Sequence, residues 1–125
     1  MTDERPLVLV ADDDDDIVAL VSAVLSRAGF DVIQASDGAR ALELVRTKRF
    51  RLAVLDVSMP ELDGIEVLRF VRADPDLADL PVILLSARAQ ETDVRVGYAE
   101  GASKYVRKPF SPRELAGIVR ELVPS

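Results

Sequence analysis

The chain has 125 residues, a formal net charge of −6 at pH 7, and neither cysteine nor histidine. The length fits one domain, residues 1–125, and the lack of cysteine excludes disulfide bonds and thiolate metal sites, in agreement with a cytoplasmic location. The acidic balance argues against direct binding of nucleic acid, and no apolar stretch is long enough to span a membrane.

Strand-like and helix-like patterns alternate along the chain. Short aliphatic runs predict five strands, at residues 7–11, 30–35, 52–56, 82–86 and 105–106. Apolar residues at helical spacing predict helices around residues 17–25, 41–45, 65–71 and 115–122, and a further helix is expected at residues 90–101, fourth of the five in chain order. The fourth of these helices contains Gly97 and β-branched residues, so its intrinsic helix propensity is poor. Five such units favour a three-layer α/β sandwich over a closed barrel, which needs eight.

Polar residues follow several of these strands directly. The acids Asp12–Asp16 follow the first strand, Asp56 ends the third, and Ser86 ends the fourth. Lys108 follows the fifth strand. If the strands are parallel, these groups converge at the carboxyl edge of the sheet, where open α/β sheets bind ligands. Carboxylates, a hydroxyl and an ammonium together predict a site for phosphate and a divalent metal.

The run of five aspartates has two simpler explanations. A calcium loop of the EF-hand type is rejected, because counting from Asp12 the glycine position holds Ile17 and the closing glutamate position holds Ala23. Asp14–Asp16 are expected in the first turn of the helix, where negative charge complements the helix dipole. We therefore expect them to cap the helix and face solvent. Asp63 and Gly64 are similarly expected to start the third helix.

The motifs at the strand ends closely resemble those of the receiver domain of bacterial two-component response regulators. The matching segments are residues 10–14, 54–60 with Asp63 and Gly64, 85–87, and 105–110. The match covers essentially the whole chain. It implies a flavodoxin-like (βα)5 sandwich with a parallel five-stranded sheet of strand order 2-1-3-4-5. In that order, Asp12, Asp13 and Asp56 lie side by side.

The resemblance implies a phosphoryl-acceptor site that uses Mg²⁺ as its cofactor. Asp56 would be the nucleophile, and Asp13, Asp56 and the backbone carbonyl of Ser58 would hold the metal, with Asp12 acting through water. Formally, one divalent ion and one lysine ammonium balance three carboxylates. Magnesium suits this site because it takes a few carboxylate oxygens, keeps waters and bridges to phosphate.

The resemblance also assigns roles around the phosphoryl group. Lys108 would neutralise charge on its oxygens, and Ser86 would donate a hydrogen bond to it. Ser86 and Tyr105 would act as the switch pair, since the family's aromatic residue rotates inward when the hydroxyl engages phosphate. Ser58 and Arg88 would flank the path of the hydrolytic water and tune the lifetime of the phosphorylated state.

The expected partners follow from the same reasoning. Without histidine the chain cannot carry its own phosphohistidine, so the donor is a sensor histidine kinase, a phosphotransfer protein or a small molecule such as acetyl phosphate. The expected readout is the face of the fourth helix, fifth strand and fifth helix, directed at a downstream effector domain or protein. Ser103 and Lys104 replace the two aspartates common in one dimerising subfamily, so that subfamily's salt-bridged dimer is not expected.

Two other function classes are alternatives to a phosphoryl acceptor. A haloacid-dehalogenase-type phosphohydrolase needs a second acid two residues after the nucleophile, where this chain has Ser58. A phosphorylation-independent interaction module on the same fold remains the alternative, although all the expected site residues are present. The sequence leaves open whether the domain stands alone or belongs to a longer regulator.

Overall fold

The computed structural model of the protein describes residues 5–87 and 90–123, apart from the side chains of Glu91 and Thr92. Five strands alternate with five helices: β1 (Leu7–Ala11), α1 (Asp15–Arg27), β2 (Asp31–Ala35), α2 (Gly38–Thr47), β3 (Leu52–Asp56), α3 (Gly64–Ala73), β4 (Val82–Ser86), α4 (Glu91–Ala99), β5 (Lys104–Arg107) and α5 (Pro112–Leu122). The predicted alternation is confirmed. Within these ranges, no helix has the length and apolar character needed to cross a membrane.

The strands form one parallel sheet in the order β2-β1-β3-β4-β5. Helices α1 and α5 pack on one face of the sheet, and α2 and α3 pack on the other. This is the predicted three-layer flavodoxin-like sandwich. Because β1 and β3 are neighbours, the residues at their carboxyl ends are brought together at the point where the strand order of the sheet reverses.

The core has two halves, one on each side of the sheet. Successive residues of a strand point to opposite faces, so Val8 and Val10 contact the α1 and α5 side while Leu9 and Ala11 contact the α2 and α3 side. Strands β3 and β4 are buried along their whole length. Burial on both faces explains why these strands are continuous aliphatic runs rather than alternating patterns.

Four of the helices begin with a residue whose side chain accepts hydrogen bonds from the N–H groups of the first turn. The capping residues are Asp14, Asp37, Asp63 and Ser111. At α3, Asp63 and Glu66 form a reciprocal capping box, which confirms the predicted helix start. By contrast, Gln90 at the start of α4 makes no side-chain capping hydrogen bond within the described part of the chain. Helix α4 therefore forms, as predicted, and among the described residues it is the helix without a side-chain cap at its N-cap position.

Candidate functional site

Three carboxylates meet at the carboxyl edge of the sheet. Asp12 and Asp13 follow β1, and Asp56 is the last residue of the neighbouring β3. One oxygen from each of the three lies within 4.8 Å of the others. Asp12 and Asp56 are only 1% and 5% exposed, whereas Asp13 is exposed. Repulsion between the two buried charges is weakly screened, so this cluster favours a cation.

Lys108 supplies a positive charge between the two buried acids. Its Nζ donates to Oδ2 of Asp12 at 2.8 Å and lies 3.1 Å from Oδ1 of Asp56. The backbone N–H of Lys108 donates to the carbonyl of Ser86 at 2.8 Å, which joins the segment after β5 to the end of β4. The peptide bond from Lys108 to Pro109 is cis. The structure thus brings the predicted lysine into direct contact with the predicted acids.

Burial and charge shift the proton affinities of this pair. Burial raises the pKa of Asp56 and the negative charge of Asp12 adds to this, so the pKa stays above its usual value although the hydrogen bond from Lys108 lowers it. Burial lowers the pKa of Lys108, but its hydrogen bonds to Asp12 and Asp56 outweigh this effect and the net pKa is raised. The raised pKa keeps the Lys108 ammonium protonated. When all four groups are ionised, the three carboxylates and the one ammonium together carry a formal charge of −2. Hard oxygen donors with excess negative charge fit a divalent cation such as Mg²⁺.

Two hydrogen bonds from within the chain orient the carboxylate of Asp12. Its Oδ1 accepts from the backbone N–H of Asp14 at 3.0 Å, and its Oδ2 accepts from Lys108. Asp14 in turn caps α1 by accepting from the N–H groups of Asp16 and Ile17. The predicted division of the aspartate run is confirmed: the first two residues and Asp56 form the cluster, and the next three start the helix.

Ser86 and Tyr105 lie on the adjacent strands. Ser86 ends β4 and is 2% exposed, and Asp56 pairs in register with the residue before it, Leu85. Tyr105 is half-buried on β5, and its backbone N–H donates to the hydroxyl of Tyr98 on α4 at 3.2 Å. The predicted switch residues therefore occupy neighbouring strands, with α4 in contact with the tyrosine.

Gly97 has a packing role that the sequence analysis missed. A methyl group on Gly97 would lie 2.6 Å from Cδ2 and 3.0 Å from Cε2 of Tyr105, and 3.3 Å from Cδ1 of Leu84. The tyrosine ring therefore packs directly against the backbone of α4. The only sequence signal was a glycine inside a helical pattern, which indicates a packing or functional reason without naming the partner.

Gly64 is a second residue whose role was missed. A methyl group there would lie 2.3 Å from the carbonyl oxygen of Asp56, and the N–H of Gly64 donates to the carbonyl of Val57 at 2.9 Å. Any side chain at this position would push the start of α3 away from the end of β3. Gly64 was predicted only as a helix start, yet its small size also sets the backbone position of Asp56.

Two arginines of α3 contact the residues that follow α4 and the residue Leu80 before β4. Arg69 forms an ion pair with Glu100 at 3.0 Å. Arg72 donates to the carbonyls of Gly101 at 3.0 Å and Leu80 at 2.6 Å. No local pattern distinguishes these arginines from ordinary exposed helix residues. Their contacts connect the residues at the carboxyl end of α4 to α3.

Two further residues were predicted to tune the lifetime of the phosphorylated state. Ser58 is exposed in the loop after β3, and Arg88 lies outside the described residues. Lys104 pairs with Glu121 of α5 at 3.7 Å, and the hydroxyl of Ser103 accepts from the N–H of Val82 at 3.1 Å. The two residues that depart from the dimerising subfamily therefore make contacts within this chain.

Comparison with known proteins identifies the same fold and motifs. The family model described as the response regulator receiver domain matches residues 8–120. The chain is 43% identical over 116 residues to the alkaline phosphatase synthesis transcriptional regulatory protein PhoP of Bacillus subtilis, covering 93% of this chain and 48% of that protein. It is 40% identical to the DNA-binding response regulator MtrA of Mycolicibacterium smegmatis, covering 93% and 50%. The chain thus spans about half the length of these curated relatives.

Solved structures agree. The receiver domain of the Francisella response regulator 1452 superposes with a TM-score of 0.87 at 38% identity, covering 94% of this chain and 95% of that one. The chemotaxis response regulator CheY4 of Vibrio cholerae gives a TM-score of 0.89 at 31% identity, covering 96% and 100%. The fold, the acidic cluster with its lysine, and these matches agree, and the chain belongs to the response regulator receiver domain family.

Proposed function

We propose that this receiver domain accepts a phosphoryl group on Asp56 in a reaction that depends on Mg²⁺, and so acts as a signalling domain rather than as an enzyme with an external substrate. One observation carries the proposal: the ammonium of Lys108 lies 2.8 Å from Asp12 and 3.1 Å from Asp56, within a cluster that also contains Asp13. In this arrangement Asp56 would act as the nucleophile beside an ammonium that neutralises phosphoryl oxygens and beside carboxylates that can hold a metal ion.

The metal would be held by Asp13, Asp56 and the backbone carbonyl of Ser58. Asp12 would act through water, and the engagement of both its oxygens by Lys108 and the N–H of Asp14 supports this assignment. When bound, Mg²⁺ supplies positive charge opposite the phosphoryl oxygens.

The transfer itself forms one bond and breaks one bond. A carboxylate oxygen of Asp56 attacks phosphorus, the bond from phosphorus to the donor's histidine nitrogen breaks, and the released imidazole nitrogen takes up a proton. The ammonium of Lys108 would stabilise the charge on the transferring oxygens, and its contacts with the two acids hold it beside the nucleophile before the transfer. The chain thereby contributes to its own phosphorylation and, with water as nucleophile, to its dephosphorylation.

The phosphorylated state would be read out through α4, β5 and α5. Ser86 would donate a hydrogen bond to the phosphoryl group, and Tyr105 would move with it. Helix α4 lacks a side-chain cap at Gln90 within the described residues, which suits an element with two arrangements separated by a few kcal/mol. Ser58 and Arg88 would set the lifetime of the phosphoaspartate.

The partners follow from this chemistry. The donor would be a sensor histidine kinase or a phosphotransfer protein, and the receiver, as one domain of residues 1–125, would act on a downstream effector domain or protein. The curated relatives are named as transcriptional and DNA-binding regulators. We place this domain in the cytoplasm, with no direct contact of its own with nucleic acid or membrane.

The test is incubation with acetyl phosphate and Mg²⁺, followed by intact-mass spectrometry. The wild-type chain should gain one phosphoryl group, and Asp56→Asn or removal of Mg²⁺ by a chelator should prevent the gain. Asp15→Asn is the matched control, since Asp15 lies in the first turn of α1 and outside the cluster. Unchanged phosphorylation of Asp56→Asn would refute the assignment, and no phosphorylation of the wild type would favour an interaction module that works without it.

A further inference from the structure

A large groove lies at the edge of the sheet opposite the acidic cluster. Residues 46–51 before β3 form one wall, residues 75–81 before β4 form the other, and Leu122 and Val123 at the end of α5 close it. We call this the basic groove, and its volume is about 850 Å³. It lies at the amino ends of β3 and β4, away from the candidate phosphorylation site, and it meets α5 at the last residue of that helix, Leu122.

One wall of the basic groove concentrates positive charge. Four of the six residues from 46 to 51 are basic, out of 16 lysines and arginines in a chain whose net charge is −6. Arg46, Lys48, Arg49 and Arg51 are all exposed. Arg46 lies 5.5 Å from the centroid of the Phe70 ring, and in the described part of the chain none of the four forms an ion pair.

Stabilisation of the end of α2 does not account for these four basic residues. Only Arg46 lies in the last turn of α2, where a cation complements the helix dipole. Lys48, Arg49 and Arg51 follow the helix and make no capping contact through their side chains within the described residues. The unpaired cations are therefore available to an anionic group from outside the chain.

The rest of the lining defines the kind of anion. Phe50, Leu77 and Leu122 are half-buried, so the groove also offers apolar surface. Asp76 and Asp79 on the opposite wall repel a dense polyanion such as a nucleic acid. A ligand with separated acidic groups and apolar side chains matches both walls.

We propose that the basic groove is a docking surface for an acidic peptide segment of a partner protein, with glutamates or aspartates facing residues 46–51 and an apolar side chain against Phe50. The interaction is independent of phosphorylation, since the groove lies at the far edge of the sheet from Asp56. It weakens as salt concentration rises, because its cations are exposed.

The test uses a fluorescent synthetic peptide of alternating glutamate and leucine pairs, titrated with the unphosphorylated chain at low salt and followed by anisotropy. A peptide with glutamine for glutamate and a single-stranded DNA oligonucleotide are the comparison probes. The variant Lys48→Gln/Arg49→Gln removes two groove cations. The matched control is Arg113→Gln/Arg120→Gln, which removes the same charge from exposed positions on α5.

The acidic peptide should bind in a salt-dependent manner, and the groove variant should weaken binding by about tenfold, as expected for two exposed charge pairs. The control variant should bind like the wild type, and circular dichroism should show that both variants are folded. Equal weakening by the two variants would overturn the proposal, because it would show general attraction. Tighter binding of the oligonucleotide than of the peptide, or no binding of the acidic peptide, would also overturn it. None of these outcomes depends on phosphorylation of Asp56.

Discussion

The contact between Gly97 and the ring of Tyr105 leads to a quantitative prediction. In an open helix position, Gly→Ala stabilises by about 1 kcal/mol, because alanine restricts the unfolded chain. On α4 the new methyl group would lie 2.6 Å from Cδ2 of Tyr105, so the ring or the helix has to move. Overpacking of this kind costs about 1–3 kcal/mol. We expect Gly97→Ala to lie between neutral and about 2 kcal/mol destabilising, after subtraction of the propensity gain.

The chain offers a matched control on another helix. Gly117 lies in the middle of α5, and a methyl group there would meet no atom within 4 Å. Gly117→Ala should therefore show the propensity gain of about 1 kcal/mol without a steric cost. A double-mutant cycle completes the design: in a Tyr105→Ala background the ring is absent, and Gly97→Ala should become stabilising by a similar amount.

Urea denaturation of each variant, followed by circular dichroism, measures these differences as shifts of the unfolding midpoint at constant slope. The reasoning would be refuted if Gly97→Ala stabilised the wild-type background as much as Gly117→Ala does, because the tyrosine ring would then not pack against α4. A coupling energy of zero between Gly97→Ala and Tyr105→Ala would lead to the same conclusion.

Three further predictions concern the acidic cluster. Asp13→Asn should weaken Mg²⁺ binding by about tenfold or more, while Asp15→Asn, at the helix start, should not; equal losses by calorimetry would contradict the ligand assignment. Lys108→Ala should leave some phosphorylation but abolish the accompanying change in amide NMR spectra, since its ammonium links the acids to the end of β5; a wild-type shift pattern would count against this. Because burial raises the pKa of Asp56, the stability it contributes is fully present below about pH 3.9 and is lost as the pH rises through its folded pKa. Asp56→Asn should therefore stabilise the metal-free protein more at pH 7 than at about pH 4. If urea denaturation gave the same change in the free energy of unfolding at both pH values, Asp56 would have an ordinary pKa.

Local sequence patterns were sufficient for the elements of this fold. Strands β1, β3 and β4 contain short aliphatic runs, and four of the helices repeat apolar residues at helical spacing; both signals lie within a window of a dozen residues. The predicted boundaries differ from the observed ones by up to three residues, as at the start of α5, which is Pro112. Phe30 precedes β2, and its N–H donates instead to the carbonyl of Leu25. The order of the strands came from the family resemblance, because periodicity contains no information about which strands are neighbours.

The site was predictable because several of its residues lie at the carboxyl ends of strands. Acids after β1 and at the end of β3 indicated an edge site, since parallel strands end together. The same rule placed Lys108 at this edge, but it did not predict the direct contacts of its ammonium with Asp12 and Asp56, since 96 residues separate the lysine from Asp12. Only the packing of β5 beside β4, and of β4 beside β3, brings the ammonium to the acids.

By itself, then, the sequence determined the elements, the starts of α1, α3 and α5, and the acidic ends of the strands, because these depend on neighbours along the chain. The tertiary structure alone decided that Gly97 makes room for Tyr105, that Gly64 approaches the carbonyl of Asp56, and that residues 46–51 face residues 75–81 across a groove. In each case the two partners come from different elements. Their contact depends on how the helices pack on the sheet, and no local pattern records that distance.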